Sequence, residues 1–294
     1  MARKIKTTKS PEERRAEAEG LHATIAEQVE ELRTSEAWTR FLTFAQAFHR
    51  YSLNNLLLIL AQKPEATSVA GYRTWQKLGR QVRKGSRGIR IFGGRDVRET
   101  VEDEQSGEEK EQRRVRFFPV SVFDISQTDP IDPEADDPST LAQPLTGNDP
   151  AGIFDAVADY LTGKGWTIER EPIDGAPNGY TDPEARRVVI DADLSPAQAA
   201  KTALHEAAHV ELQAEEDHAE YVEHRGVKET EAESVAYIVA GILGLDTSAY
   251  SVGYIAGWSK CEPETIKATA ANVLRAAHTL ADAITEPAEA TEAA

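Results

Sequence analysis

The sequence predicts an α+β protein of two domains, and three observations carry that reading. Helical periodicity and short β-branched strands occur in both halves of the 294 residues, a length that suits more than one domain of ordinary size. Charge changes sign along the chain. Residues 1–95 carry 18 Lys and Arg against 9 Asp and Glu, a net of +9; residues 96–126 carry −4 and residues 127–294 carry −22, within a total of −17. Finally, "QTDPIDPEADDPSTLAQPLTGNDP" (127–150) holds five prolines and many acids with little to bury, so it reads as a linker.

The front domain is expected over 12–126. Residues 12–33 read as a helix rich in Glu and Ala. Residues 36–50 place Trp38, Phe41, Leu42, Ala45 and Phe48 at helical spacing. Asn54–Gln62 is a third, more buried helix ended near Pro64, and Gly71–Leu78 a short one. "QVRKGSRGIRIF" (81–92) reads as strand, glycine turn, strand. Residues 97–125 read as two strands around the charged loop "EDEQSGEEKEQ".

The back domain is expected over 151–285, with 286–294 a frayed tail. It begins with a helix (151–163), then the strand "WTIER", a Pro/Gly/Asn loop and the strand "ARRVVIDA" (185–192). Ser195-Pro196-Ala197-Gln198 combines a Ser cap, Pro at the first helical position and Gln three residues after the cap. That helix should run to about Gln213. Further helices are expected over 229–243, ending at Gly244, and over 263–284. The mainly helical pattern leaves room for only a small sheet.

Composition narrows the setting. Cys261 is the one cysteine, so no intrachain disulfide is expected, which suits a reducing compartment. The charged N-terminal residues are followed by no apolar signal region, and "LLLILA" (56–61) is too short to span a bilayer. A cytoplasmic protein with no membrane partner is expected.

Within the Ser195-capped helix lies "HEAAH", residues 205–209. Side chains four apart share a helix face, so His205 and His209 can point two imidazoles at one ion. Glu206 lies one residue round, where it can reach a water on that ion. A hydrolytic zinc takes three protein ligands and leaves a position for water. Glu206 is therefore the expected general base. The preceding strand "RRVVIDA" would suit an edge that holds an extended peptide above the metal. The third ligand should come from the following helix, with Glu229, Glu231 and Glu233 as candidates. Glu231 is preferred and Glu233 ranks next, because the Glu231 face continues through Val235 and Ile238. His218 and His224 read as parts of a solvated acidic loop. His22, His49 and His278 have no companions in the sequence and read as structural.

Residues 195–258 resemble the zincin-type metallopeptidase domains grouped with the ImmA/IrrE family, on "HEAAH" and on "EAES" at 231–234. The Glu-Ala pair at 231–232 matches that family's third-ligand position. The resemblance implies Zn2+ on His205, His209 and Glu231, and hydrolysis of a protein or peptide substrate in the cytoplasm.

Between Gly71 and Arg95 there are eight basic residues and no acid, with Tyr72, Trp75 and Phe92 interleaved. Cations can follow a phosphate backbone while aromatic faces stack on unpaired bases. Lys77, Arg80, Arg83, Lys84, Arg87 and Arg90 are the candidate cations, and Tyr72 or Trp75 the candidate stacking residue; for Trp75 a place in the core is favoured. Residues 52–92 closely resemble the N-terminal domain of ArdC-type antirestriction proteins, on "VAGYRTWQKLGR" and "KGSRGIRI", within a similarity that covers most of 15–125. The resemblance implies single-stranded DNA as a partner and a link to mobile elements. The charged insert at 102–112 is a departure from the family pattern. The expected whole is a single-stranded DNA-binding protein with a zinc-dependent peptidase-like domain. The alternative is a non-catalytic DNA-binding or antirestriction protein with a structural zinc. An acidic decoy that mimics DNA ranks below both.

Overall fold

Apolar periodicity becomes helix first in Pro11–Glu31 (α1), Ser35–Phe48 (α2) and Leu53–Gln62 (α3). These belong to a computed structural model that describes residues 10–102, 109–132, 150–175, 177–212, 225–245 and 262–285. The chain divides into two compact units. One comprises Met1–Gln28 and Asn54–Ser139, the other Val29–Leu53 and Thr140–Ala294. The front segment expected as one domain is therefore interrupted, because residues 29–53 pack with the second unit. The cause lies in α2. Its predicted apolar residues Trp38, Phe41, Leu42, Ala45 and Phe48 are all buried, and its polar atoms bond to a helix of the second unit: Trp38 Nε1–H donates to Ser234 Oγ at 3.1 Å, and Thr43 Oγ1 lies 3.0 Å from the Tyr237 hydroxyl.

In the first unit, Val69–Gly71 (β1), Ile89–Glu102 (β3) and Glu109–Asp124 (β4) form an antiparallel sheet in the order β1-β4-β3. Arg80–Val82 (β2) pairs instead with Thr128–Pro130 (β5). Three expectations change here. The strands expected on either side of the 81–92 turn enter different sheets. The later one continues unbroken into the next expected strand, giving one long β3. The linker expected from residue 127 begins as β5, and residues 133–149, residues 103–108 of the charged insert and the expected tail (286–294) lie outside the described residues. Tyr72–Lys77 (α4) is the short helix the sequence predicts.

Asp124 fixes the end of β4. Its carboxylate, 1% exposed, accepts from the backbone N–H groups of Thr67, Ser68 and Ser126. Burial works against its charge, but these donors, Ser126 foremost, hold its pKa below the usual carboxylate value.

Strand β3 is an edge, so its outer N–H and C=O groups need partners. Helix α3 supplies them through two amide side chains. Asn55 donates to the Phe92 carbonyl and accepts from the Phe92 N–H, both at 2.9 Å. Gln62 does the same for Arg90, at 2.8 and 2.9 Å. Asn55 and Gln62 are seven apart, two helical turns, and so project from one face, while Arg90 and Phe92 are two apart on one side of the strand. Asn55→Ala removes both partners of Phe92 and should lower stability by about 1–3 kcal/mol, read as a lower urea midpoint.

The second unit holds Pro150–Gly163 (α5), Thr167–Glu171 (β6), Gly179–Asp182 (β7), Arg187–Asp191 (β8), Pro196–Leu212 (α6), Arg225–Ile242 (α7) and Pro263–Ile284 (α8). The expected cap holds: Ser195 Oγ accepts from the Gln198 N–H at 3.3 Å, and Pro196 opens α6. Helix α7 closes on Gly244 at φ 73°, where the Leu245 N–H reaches back to the Ala240 carbonyl at 2.9 Å. The sheet order is β6-β8-β7, with β8 parallel to β6 and antiparallel to β7. The strand preceding the histidine helix is thus central rather than an edge, and Val188, Val189 and Ile190 are buried accordingly. The edge beside α6 is β7. A Cβ on Gly179 would meet Thr202 Cγ2 at 2.7 Å and the Val189 carbonyl oxygen at 2.9 Å, so only glycine lets this edge lie so close to α6. Gly179→Ala should cost about 1–3 kcal/mol by overpacking and lower the melting temperature.

Candidate metal centre and nucleic-acid surface

Helix α6 is lined with small residues; Ala199, Ala200, Ala203, Ala207 and Ala208 are all buried. Short side chains let α7 come close, and α7 is itself buried around most of its circumference. His205 and His209 face it. Their Nε2 atoms stand 3.1 Å apart, and the rings are nearly perpendicular at 82°. Glu229 Oε2 lies 3.6 Å from each of these nitrogens. One donor atom from each of the three residues falls within 4.8 Å of the others. Ligands about 2.0–2.1 Å from a tetrahedral ion stand roughly 3.3 Å apart. Two neutral imidazoles and a carboxylate at 3.1 and 3.6 Å are therefore a donor set that fits one divalent metal ion.

The surroundings prepare the set. Glu233 Oε2 lies 3.1 Å from His205 Nδ1, which orients the ring and directs Nε2 inward. Burial disfavours charge on His205, but the carboxylates of Glu229, Glu233 and Glu206 outweigh it and push its pKa up to about 9. Hydrogen bonds from His205 and then His209 hold the Glu229 carboxyl far below the usual range. Both directions report one field, in which a positive charge is favoured between α6 and α7. Glu206 is 6% exposed, and its Oε2 accepts from Thr181 Oγ1 at 2.7 Å, so the edge strand β7 fixes this carboxylate. At the end of α6, buried Glu211 accepts from the Tyr160 hydroxyl and the Lys164 ammonium, anchoring α6 to α5. Burial pushes the Tyr160 pKa up to about 12.

Of the four residues expected at the metal, His205 and His209 bring their Nε2 atoms together, and Glu206 lies beside them on α6 with its carboxylate on Thr181. Glu231 does not join them. It is 2% exposed, with Lys228 Nζ 3.5 Å from Oε2 and Asn272 Nδ2 donating to Oε1 at 3.4 Å. Residues 229 and 233 are four apart and share a face, whereas 231 is turned about 200° from 229. The core face that made Glu231 attractive in the sequence turns toward α8, and Glu229 and Glu233 face the histidines instead. The i, i+4 spacing of Glu229 and Glu233, the same as that of the histidines, is the signal that could have found them. His218 and His224 lie outside the described residues.

In the first unit the eight residues expected on DNA separate into groups. Trp75 is 2% exposed and donates Nε1–H to the Phe123 carbonyl at 2.8 Å, which makes it a core residue. Arg80 is 6% exposed and donates from Nε to Thr128 Oγ1 at 2.7 Å, joining β2 to β5. Arg83 pairs with Asp129 at 2.9 Å, and Arg90 with Glu17 at 2.6 Å. Tyr72, Lys77, Lys84 and Arg87 are exposed. Phe92, half-buried, packs on His22 of α1 with ring centroids 4.9 Å apart. Two residues absent from the sequence reading stand out on β4, Phe117 at 71% exposure and Val115 at 53%. They pair in register with Gly94 and Asp96 respectively, and alternate with exposed Arg114 and Arg116. Alternation in "RVRF" was the available signal, but it could not reveal that residues 114–117 are exposed on both faces of the strand.

Comparison with known proteins agrees with both halves. Residues 15–123 match the model of the N-terminal domain of the anti-restriction factor ArdC, and residues 165–251 match the IrrE N-terminal-like domain. An uncharacterised Bacillus anthracis protein, pXO2-81, is 28% identical in an alignment of 258 residues that covers 74% of this chain and 42% of that protein. The chain thus spans less than half the length of this relative. Among solved structures, the antirestriction ArdC protein from plasmid R388 is similar in two crystal forms. The metal-free form has a TM-score of 0.47 and 24% identity, covering 79% of this chain and 84% of that one. The Mn(II)-bound form has a TM-score of 0.42 and 19% identity, covering 79% and 88%. The chain thus matches, in this order, the models of an ArdC-type N-terminal domain and of an IrrE N-terminal-like domain.

Proposed function

We propose that this chain is a cytoplasmic single-stranded DNA-binding protein whose second unit is a zinc-dependent peptidase, acting on a protein located at DNA. One observation carries the peptidase reading: two imidazole nitrogens and the Glu229 carboxylate converge beside a buried, hydrogen-bonded Glu206. His205, His209 and Glu229 would hold the ion. When bound, it supplies a Lewis acid and lowers the pKa of a water. Glu206 has one oxygen engaged by Thr181, which leaves the other to take the proton of the attacking water and return it to the leaving amine. The substrate backbone pairs with the outer edge of β7, antiparallel or parallel, and so passes in front of α6. No helix among the described residues is long and apolar enough to cross a membrane.

Glu206→Gln tests the peptidase. Cleavage of a fluorogenic peptide library by the zinc-loaded full chain should fall by about 10²–10⁴-fold, with metal content and melting temperature unchanged. Equal cleavage by variant and wild type, or none by either, would assign the ion a structural role and leave a non-catalytic DNA-binding protein.

On the first unit, the exposed cations Lys77, Lys84 and Arg87 take phosphates, and exposed Phe117 and Tyr72 take base faces. Trp75 and Arg80 stabilise this surface from within. Phe117→Ala should weaken binding of a labelled oligo-dT by about 1–3 kcal/mol, and Lys84→Ala/Arg87→Ala should also flatten the salt dependence. Fluorescence anisotropy titrations at two salt concentrations measure both effects. Unaltered affinity in both variants would remove this surface from DNA binding.

A further inference from the structure

Two histidines that looked isolated in the sequence meet in the second unit. His49 follows α2 and His278 lies on α8, and their ring centroids are 5.9 Å apart. Asp282, one turn beyond His278, places Oδ2 3.3 Å from His278 Nε2. One donor atom from each of His49, His278 and Asp282 lies within 4.8 Å of the others. The flanking groups leave donor atoms available. His49 Nδ1 faces the Gln46 carbonyl at 3.4 Å; with its proton there, Nε2 presents a lone pair. Arg50 donates to Asp282 Oδ1 at 3.0 Å, which occupies one carboxylate oxygen and leaves Oδ2. His278 Nδ1 is buried with no hydrogen-bond partner, an arrangement that calls for an explanation. Both imidazoles also line a cavity of about 290 Å³ together with Arg50, Leu53, Leu274 and Arg275, room for an ion to keep solvent ligands.

We propose that His49, His278 and Asp282 form a second divalent-metal site, separate from the one between α6 and α7. Two imidazoles and one carboxylate suit zinc and its transition-metal neighbours rather than magnesium or calcium. The side chains of His278 and Asp282 are 43% and 41% exposed, so both can draw inward to the shorter ligand spacing an ion requires. Such an ion joins the end of α2 to α8, residues 229 positions apart in the chain. It therefore acts as a cross-link that secures segment 29–53 to the second unit. This inference does not rest on the peptidase reading.

Zn2+ is the probe, counted per full-length chain after equilibrium dialysis. Wild type should hold two ions. Asp282→Asn and His278→Ala should each hold one, His205→Ala should hold one, and His205→Ala/Asp282→Asn none. Zinc should still raise the melting temperature of His205→Ala, and this increase should vanish in the double variant. A wild type with one ion that is lost in His205→Ala overturns the second site alone. One ion that survives His205→Ala and is lost in Asp282→Asn overturns the α6–α7 site alone. Two ions in both Asp282→Asn and His278→Ala, or loss of both ions from each, also overturns the proposal.

Discussion

Two imidazole nitrogens held 3.1 Å apart repel unless a positive charge lies between them or a proton bridges them. The second unit is built around that constraint. Alanines on α6 permit the close approach, the capped start fixes the helix, and the buried Glu211 group fixes its end. Helix α7 then turns Glu229 and Glu233 toward the same point. The raised His205 pKa and the depressed Glu229 pKa are the electrostatic signature of this assembly. A metal ion satisfies the same demand with more directed bonds, since the lone pairs already converge. Desolvation would otherwise favour neutral imidazoles, so it is the surrounding carboxylates that determine the sign of the field.

The first unit meets a different constraint, an edge strand that would otherwise leave backbone groups unpaired. Asn55 and Gln62 close the edge at Phe92 and Arg90. Farther along, β4 carries Val115 and Phe117 into solvent. Two large apolar side chains exposed on one face of a strand, beside arginines, form a patch that asks for a ligand or partner. They become intelligible if the cover is a ligand with flat apolar faces and a charged backbone. The packed part of the sheet, with Trp75 and Asp124 at its base, then serves to hold this arm.

Much of this was legible in the sequence because it depends on local spacing. The histidine helix, its Ser195 cap and the helix closing at Gly244 follow from rules that span a few residues. What was not legible depends on which face of an element meets which neighbour. Glu231 was preferred because its face runs on through Val235 and Ile238, and that face is indeed buried, but against Asn272 of α8 rather than against the histidines. Arg80 looked like a surface cation and instead closes β2 onto β5. Residues 29–53 looked continuous with the front domain because they follow α1 without a break, whereas Trp38 finds its partner 196 positions away. His49 and His278 are farther apart still, beyond the reach of any spacing rule.

Charge is divided along the chain rather than between the two units. The first 95 residues are cationic in a chain whose net charge is −17. At long range the whole molecule repels polyanions, and at physiological salt this repulsion is screened beyond about 8 Å. The proposed nucleic-acid ligand would therefore be drawn only by groups close to it, which places weight on base contacts from Phe117 and Tyr72 beside a few cations rather than on a broad electrostatic field. The acidic second half has the opposite preference. Carboxylates concentrated there attract divalent cations and basic peptide segments, the two kinds of ligand that the proposed peptidase would gather. The division of charge along the chain thus parallels the two chemistries proposed for its front and back halves.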